Sequence, residues 1–254
     1  MKVLLLGATG NLGSRLVPAL LTHGHIVTVF VRSSRKLESL LPSSIYQQIS
    51  IVEGDATNIS AVKAAILDSK CEAVVTAAGV AAAAPWGSSD LPKIFRSIAE
   101  AVQQAGAERK QPLRVWFLSG MSVLQVPGTK NMMMDYVPVF LEHRGNLKLL
   151  QSLPPNSVDW SLLCPMTMTE ESKELSVPTK LTQGRLVANA NTPPMWKESW
   201  IGSIPLIGKL LTVMMNSSRY TTTLEQNADF IATDLETRDS PFIGKRVGVI
   251  SASV

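Results

Sequence analysis

Three glycines spaced three residues apart near the start of the chain restrict its fold more than any other feature. In the N-terminal stretch KVLLLGATGNLGSRL, an apolar run typical of a buried strand ends at Gly7, and helical spacing resumes towards Gly13. Gly7 permits a tight turn, Gly10 lets backbone N–H groups approach an anion, and Gly13 lets the helix pack on the sheet. The positive end of that helix favours the anion. The stretch predicts a dinucleotide-binding unit rather than a tight turn without a ligand.

Strand-like apolar runs and helical stripes alternate along most of the chain. Strands are predicted at residues 3–6, 26–31, 49–53, 73–77, 113–120, 159–165 and 247–250. Helices are predicted at residues 11–23, 60–65, 91–105, 136–153 and 223–234. Because strands and helices follow one another in turn, the pattern predicts an α/β fold with a Rossmann-type doubly wound parallel sheet.

The pattern changes after Pro165, where prolines become frequent and Trp196, Trp200 and the apolar stretch IPLIGKLLTVMM (204–215) appear. Since open α/β sheets bind ligands beyond the carboxyl ends of their strands, we expect this region to cover that edge. We expect IPLIGKLLTVMM to be a core helix rather than a membrane-surface or dimer-forming segment. The predicted parts are a cofactor-binding Rossmann core at 1–165, a small C-terminal substrate cap at 166–222, and a helix and strand returning to the core at 223–254.

Charge and cysteine usage exclude several classes of protein. The net charge is +4, but Lys and Arg are scattered, which favours a basic mouth for an anionic cofactor over nucleic-acid binding. Cys71 and Cys164 match no metal or redox spacing, so we expect buried free thiols and no metal site. No apolar run reaches the roughly 18 residues that span a bilayer. We therefore expect a cytoplasmic monomer or homodimer with no membrane partner.

The end of the second strand indicates which nicotinamide cofactor is bound. NAD-binding folds place Asp or Glu there to accept hydrogen bonds from the ribose 2′-hydroxyl. Here the strand ends in Arg32, followed by Ser33, Ser34, Arg35 and Lys36. Guanidinium groups pair with a 2′-phosphate, which a carboxylate would repel. The sequence therefore predicts NADP(H).

Two further strand ends lie along the same predicted edge. In GDAT, Asp55 can accept a hydrogen bond from the adenine amino group or cap the following helix. In TAAG, the small residues that include Ala78 and Gly79 leave room for the cofactor backbone. We expect both strand ends to contact the cofactor.

Seven stretches, in order along almost the whole chain, resemble the NmrA-like group of atypical short-chain dehydrogenases, and within it the flavin/biliverdin reductase-like NAD(P)H-binding proteins. These stretches are GATGNLG, GHIVTVFVR, EGDATN, VWFLSG, EHRGNLKLLQS, VDWSLLCP and LEQNADFIA. The family includes reductases, isomerase-like enzymes and cofactor-sensing regulators, so the resemblance leaves the substrate open.

The resemblance implies roles for individual residues. Arg32, with Arg35 or Lys36, would hold the 2′-phosphate, and Ser119 would lie beside the nicotinamide. His143 lies in the helix where these reductases carry a matching histidine. Together with the residues argued above, the expected cofactor contacts are Gly7, Ala8, Thr9, Gly10, Asn11, Leu12, Gly13, Arg32, Arg35, Lys36, Asp55, Ala56, Ala78, Gly79, Ser119, His143, Pro165 and Thr167.

One departure from the wider family affects catalysis. Most short-chain dehydrogenases carry Tyr-x-x-x-Lys, in which the lysine lowers the tyrosine pKa, but Tyr136 is followed four residues later by Phe140. The candidate catalytic residues are therefore Ser119, His143 and, less favourably, Tyr136. Each has a structural alternative. The Ser119 hydroxyl could satisfy backbone groups of a local turn, the His143 imidazole could anchor its helix to a backbone carbonyl, and Tyr136 could be a packed aromatic ring.

The function predicted from these features is NADPH-dependent reduction of a flat apolar small molecule such as a quinone, enone, flavin or aromatic polyketide. The cofactor would supply the hydride, and Ser119 would hydrogen-bond the acceptor oxygen. Two alternatives stay open: an NADP(H)-sensing regulator without catalysis, and an isomerase, lyase or cyclase on the same fold.

Overall fold

The predicted alternation of strands and helices is present in the computed structural model, which describes residues 1–84, 86–175, 186–205 and 207–252. The strands are β1 (Lys2–Leu6), β2 (Ile26–Val31), β3 (Ser50–Glu53), β4 (Ala73–Thr76), β5 (Arg114–Leu118), β6 (Asp159–Cys164), β7 (Thr167–Thr169), β8 (Leu186–Ala190), β9 (Thr221–Thr223) and β10 (Lys245–Ser251). The helices are α1 (Asn11–Thr22), α2 (Ser34–Leu40), α3 (Ser43–Tyr46), α4 (Ile59–Asp68), α5 (Leu91–Arg109), α6 (Glu142–Gln151), α7 (Gly208–Ser217) and α8 (Leu224–Asp234). The short helices α2 and α3 were not predicted.

Eight strands form one sheet in the order β3-β2-β1-β4-β5-β6-β10-β8. All neighbours are parallel except β8, which runs antiparallel to β10. The strand order reverses direction at β1, whose residue Leu6 pairs with Phe30 on one side and Thr76 on the other. Ligands of doubly wound sheets bind at such a reversal, outside the carboxyl ends of the strands. The predicted Rossmann-type fold is confirmed.

The two faces of the sheet carry separate apolar layers. Leu4 and Leu6 of β1 pack with α4, α5 and α6, whereas Val3 and Leu5 pack with α1, α2 and α8. Successive strand residues point to opposite faces, so a strand covered on both sides needs a continuous apolar run. This requirement explains why the strands of the parallel sheet were recognisable in the sequence.

The helix predicted at 136–153 begins later, at Glu142. Pro138 lacks the N–H group that a continuing helix needs, and Phe140 has a left-handed backbone with φ of +53°. Tyr136 instead ends the short 3₁₀ turn Met133–Asp135. The predicted helix start was wrong by six residues, and Tyr136 and His143 lie on different elements.

Residues 166–222 contribute to two sheets. β7 and β9 form a small parallel pair, and β8, which was not predicted, joins the edge of the central sheet. The predicted region also includes residues 176–185 and 206, which lie outside the described residues.

The stretch IPLIGKLLTVMM is only in part a core helix. In α7, Val213 and Asn216 are buried, but Leu211, Met214 and Met215 are 36%, 56% and 53% exposed. The expectation of a core helix was therefore wrong for the outer face of α7. Within the described part of the chain, no helix is both long and apolar enough to cross a membrane.

Candidate active site

In the turn that follows β1, packing and backbone geometry alone require glycine at two of the three glycine positions. Gly7 has φ of +86°, and a Cβ atom there would lie 2.6 Å from the carbonyl carbon of Ala77. A Cβ atom on Gly13 would overlap the carbonyl oxygen of Gly7. Gly10 is different, because its φ of −92° suits any residue and a Cβ atom would make only a 3.4 Å contact. Packing does not require glycine at position 10, but the close approach of a ligand would.

The N-terminus of α1 presents its backbone rather than its side chains. Ala8 and Leu12 are buried in the core, so only their main chains are available to a ligand. Gly10 and Asn11 are exposed beside a polar groove of about 670 Å³. The first N–H groups of a helix have no intrahelical partner and bind anions. The geometry of this turn fits a pyrophosphate.

Arg15, on the next turn of α1, is already engaged. Its guanidinium group donates to the Ser172 carbonyl at 2.9 Å and lies 3.3 Å from carboxylate oxygens of both Glu170 and Glu225. This network fixes the segment after β7 against α1 and α8. Arg15 therefore has a structural role and is not a candidate phosphate ligand.

The end of β2 carries the predicted cations and a carboxylate that the sequence analysis missed. Arg32, Arg35 and Lys36 are exposed. Glu53, at the end of the neighbouring strand β3, accepts a hydrogen bond of 2.6 Å from the Ser34 N–H, and hydrogen bonds from Ser34 lower the pKa of Glu53. The pairing of Val31 with Glu53 in the β-ladder places this carboxylate at the same edge.

Asp55 forms a local turn after β3. Its carboxylate accepts a hydrogen bond of 2.8 Å from the Thr57 N–H, and hydrogen bonds from Thr57 lower the pKa of Asp55. The cap of α4 is Asn58, whose side chain accepts from the Ala61 N–H at 3.1 Å. The helix-capping alternative for Asp55 was therefore wrong, and its exposed carboxylate stays a candidate for the adenine. The neighbouring Ala56 is half-buried against the core.

The loop that follows β4 is tied to α6 by Glu142, a residue the sequence analysis did not single out. The Glu142 carboxylate accepts hydrogen bonds from the Ala82 N–H at 2.9 Å and from the Ser89 N–H and hydroxyl at 2.7 and 2.8 Å. Burial raises the Glu142 pKa, but these hydrogen bonds outweigh it and the pKa is lowered. The charged carboxylate thus holds the loop in place. The position of Glu142 in the first turn of a helix was the only signal in the sequence.

A cavity of about 280 Å³ lies at the carboxyl ends of β4, β5 and β6. It is lined by Ala78, Gly79, Val80, Ala81, Leu91, Leu118, Ser119, Gly120, Met121, Ser122, Met133, Val137, Val139, Phe140, His143, Pro165, Met166, Met168, Val213 and Ser217. Apolar side chains dominate this lining, and none of these described residues is Lys, Arg, Asp or Glu. Such a wall with a few polar groups is typical of small-molecule sites.

Four buried polar side chains at the ends of β5 and α6 have no hydrogen-bond partner at one atom. These atoms are Ser119 Oγ, Ser122 Oγ, His143 Nδ1 and Asn146 Nδ2. Buried polar atoms are nearly always paired, so unpaired ones mark a place where a ligand or water supplies the bond. Ser119 and His143 thus line the same cavity, and so does Ser122, which no sequence pattern identified. Asn146, three residues after His143 on the same helix face, is not part of the lining.

His143 is neutral near pH 7. Burial lowers the pKa of its imidazole to about 4, and the opposing effect of the Glu142 charge is smaller. The alternative that His143 anchors α6 to a backbone carbonyl was wrong, because Nδ1 has no partner and Nε2 faces the space beside Gly120. The neutral ring can donate or accept a hydrogen bond, but near pH 7 it carries no second proton that it could transfer to a substrate.

The low pKa of His143 predicts a pH-dependent loss of stability. Above pH 6.5 the imidazole is neutral in both states, whereas between pH 6.5 and about 4 only the unfolded chain takes up the proton. From pH 7.5 to 4.5, the unfolding free energy should fall by about 2–3 kcal/mol more in the wild type than in His143→Gln. Urea denaturation at both pH values measures this difference.

His23→Gln provides a control of opposite sign. Burial lowers the His23 pKa, but Asp229 and Glu236 outweigh it and the pKa is raised. The stabilisation by His23 is therefore present below pH 6.5 and lost as the pH rises through the raised pKa. If His143→Gln loses as much stability in acid as the wild type, the assigned pKa of His143 is wrong.

Two predicted residues do not reach the cavity. The Tyr136 hydroxyl accepts a hydrogen bond of 3.1 Å from Asn131 Nδ2 and is absent from the lining. Thr167 is exposed on β7, while its neighbours Met166 and Met168 line the cavity. Pro165 does line it, and its carbonyl accepts from the Met121 N–H at 2.8 Å.

Solved structures of low sequence identity share this fold. A protein of Streptococcus pneumoniae named as an NADH-flavin reductase superposes with a TM-score of 0.64 and 19% identity, covering 99% of each chain. An anaerobillin reductase of Escherichia coli O157:H7 has a TM-score of 0.61 and 15% identity, covering 100% of this chain and 98% of its own. An oxidoreductase of Lactococcus lactis has a TM-score of 0.63 and 18% identity, covering 99% and 91%.

No curated protein matches this sequence. A family model described as NAD(P)H-binding matches residues 7–191, which is more than half of the 254 residues. The match begins at the first glycine of the turn after β1 and extends beyond β8. This chain therefore belongs to the NAD(P)H-binding family.

Proposed function

We propose that the protein is an NADPH-dependent oxidoreductase that reduces a neutral, flat, apolar carbonyl compound. The observation that carries this proposal is the buried, unpartnered hydroxyl of Ser119, which lies at the end of β5 and lines the apolar cavity at the carboxyl ends of the strands. An aligned hydrogen-bond donor in a dry cavity stabilises a carbonyl oxygen as negative charge develops on it. The names of the similar structures, which include two reductases, support the same reaction class.

The residues at the carboxyl edge fit a nicotinamide dinucleotide. The open surface at Gly10 and the first N–H groups of α1 would hold the pyrophosphate, with Asp55 near the adenine. Ala78, Gly79 and Pro165 would border the nicotinamide next to Ser119. When bound, the nicotinamide supplies a hydride to the acceptor.

Selection of NADPH over NADH would depend on the cations after β2. Arg32, Arg35 and Lys36 are exposed and can pair with a 2′-phosphate. Glu53 opposes this preference, because its carboxylate already accepts the Ser34 N–H. Asp55 is a second carboxylate nearby, and the charge of Arg32 contributes to its lowered pKa. Three cations against these two carboxylates favour the phosphorylated cofactor.

Replacing Arg32 by Asp should weaken NADPH binding about 10-fold to 100-fold and leave NADH binding nearly unchanged. One lost charge-assisted hydrogen bond corresponds to about 1.5–3 kcal/mol. Calorimetric titration with both cofactors measures the two affinities. Arg238→Asp is the control, because it changes the net charge by the same amount. Arg238 pairs with Glu72, which directly precedes β4 and so lies at the amino ends of the strands. Equal losses for the two cofactors in Arg32→Asp would refute the assignment.

The acceptor is proposed to be neutral because the cavity offers no compensating charge. Among the described residues of its lining there is no Lys or Arg, so a phosphate-bearing flavin would be buried without a partner. A quinone, an enone or an aromatic polyketide matches the apolar wall. We also propose that residues 166–222 act as the substrate cap, since Met166, Met168, Val213 and Ser217 of this region line the cavity.

In the proposed mechanism, the protein positions the acceptor and hydrogen-bonds its oxygen. The carbonyl group gains two electrons as a hydride and one proton, becoming a hydroxyl. Ser119 would donate its hydroxyl hydrogen to the developing oxyanion. Neutral His143 would orient the acceptor through a hydrogen bond, and its low pKa makes it a poor source of the proton at neutral pH. We propose that the proton comes from solvent.

Oxidation of NADPH with a panel of neutral quinones and enones tests the proposal, read at the nicotinamide absorbance. We expect one NADPH consumed per acceptor reduced, and slower turnover with NADH. A protein that binds oxidised and reduced cofactor equally and turns over no acceptor would be a sensor. An acceptor that is rearranged without net consumption of NADPH would indicate an isomerase or cyclase. Either outcome would refute the reductase.

A further inference from the structure

Gly120, Ser122 and His143 line the cavity together and bound a small recess of it. Gly120 has extended backbone angles of −138° and 161°, which any residue can adopt. A Cβ atom on Gly120 would lie 3.5 Å from His143 Nε2 and 3.8 Å from Ser122 Oγ. The missing side chain therefore keeps open the space between a ring nitrogen and a hydroxyl oxygen.

The polar groups around this recess are buried and lack partners. Ser122 is 8% exposed and His143 is 6% exposed. Ser122 Oγ accepts and donates no hydrogen bond. On His143 the buried unpaired nitrogen is Nδ1, whereas Nε2 is the nitrogen next to Gly120. Since unpaired buried hydroxyls are rare and costly in folded proteins, the Ser122 hydroxyl indicates a polar atom supplied from outside the chain.

We propose that the recess binds a neutral hydroxyl group of the acceptor, separate from the carbonyl that is reduced at Ser119. This inference rests on the proposed reductase function and adds the class of substrate, a hydroxylated quinone or enone. A hydroxyl group both donates and accepts, as do the Ser122 hydroxyl and a neutral imidazole. A carboxylate fits less well, because the described lining offers it no cation and Glu142 precedes His143 on α6.

Binding of a matched pair of quinones tests this proposal. The pair is 1,4-naphthoquinone and 6-hydroxy-1,4-naphthoquinone, whose hydroxyl cannot reach either carbonyl of its own ring system, titrated by calorimetry at about pH 6 in the presence of NADP⁺. The wild type should bind the hydroxylated compound about 3-fold to 10-fold more tightly, the range for one or two neutral hydrogen bonds. Addition of the quinones to thiols should be slow, because burial raises the pKa of Cys71 to about 11 and that of Cys164 to about 12.

Two variants should abolish this preference by different routes. Ser122→Ala removes the hydroxyl, and Gly120→Ala places a methyl group in the recess at ordinary contact distances from its neighbours. In both, the ratio of the two affinities should fall to about one. Gly145→Ala is the control, because Gly145 lies on α6 with open space at its Cβ position, and its ratio should stay at the wild-type value.

The outcomes separate this inference from the reductase function, since binding is measured without turnover. In one outcome, the wild type prefers the hydroxylated quinone, the preference depends on Ser122, and neither quinone supports oxidation of NADPH. This outcome would support the proposed recess and refute the reductase function. Turnover of both quinones with an affinity ratio unchanged in Ser122→Ala and Gly120→Ala would refute the recess alone. Failure of the wild type to bind either quinone, or to prefer the hydroxylated one, would also refute the recess.

Discussion

Replacing Gly10 by Val is expected to weaken NADPH binding about 100-fold or more while the protein stays folded. The backbone of Gly10 lies in the extended region, which suits a β-branched residue, and a Cβ atom meets only the Gly7 carbonyl oxygen at 3.4 Å. A valine side chain would occupy the surface through which the pyrophosphate reaches the first N–H groups of α1. Loss of two charge-assisted hydrogen bonds, at about 1.5–3 kcal/mol each, accounts for this factor.

The measurement is titration with NADPH, together with thermal unfolding followed by circular dichroism. Gly145→Val is the matched control, since its Cβ position is open and exposed, and it should bind NADPH as the wild type does. Gly13→Ala should behave differently from both, because a Cβ atom there overlaps Gly7 and the fold itself should be destabilised. A folded Gly10→Val protein with unchanged affinity would mean that the pyrophosphate binds elsewhere.

The inner strands of the parallel sheet could be predicted from the sequence because burial on both faces requires continuous apolar residues. The edge strand β8 could not be predicted in this way, because it is half-exposed. Its residues LVANA show neither a continuous apolar run nor a clear alternation of apolar and polar side chains. The late start of α6 was predictable in principle, since Pro138 stands inside the predicted helix. The left-handed Phe140 had no comparable signal.

The candidate site was predictable only where local sequence determines the chemistry. The glycine turn and the cations after β2 depend on residues close together in the chain, and both could be interpreted from their order. The unpaired hydroxyl of Ser122 joins the site because the 3₁₀ turn Met121–Val123 and α6 meet in the folded protein, so no local pattern reports it. Glu142 likewise acquires its role from a loop more than fifty residues earlier in the chain. Tertiary contacts, rather than motifs, define this part of the site.

Replacing Ser119 by Ala is expected to lower turnover about 100-fold to 1000-fold, the effect of removing one donor from a developing oxyanion. Because Ser119 Oγ is buried without a partner, its removal should leave the stability of the protein unchanged or slightly increased. The affinities for NADPH and for the acceptor should change little, so the loss should appear in kcat rather than KM. Steady-state kinetics and thermal unfolding of the same variant measure all three quantities.

Tyr136→Phe is the control variant for Ser119→Ala. The Tyr136 hydroxyl contacts the Asn131 side chain outside the cavity, and Phe140 stands where the Tyr-x-x-x-Lys pattern has its lysine. Turnover of Tyr136→Phe should therefore stay within about twofold of the wild type, since the lost hydrogen bond affects no reacting atom and its cost of about 1 kcal/mol or less falls on stability. A Tyr136→Phe protein that binds both ligands but has lost turnover would show that the tyrosine reaches the acceptor in the complex. In that case Ser119 would not be the principal donor, and its own substitution should cost much less than 100-fold.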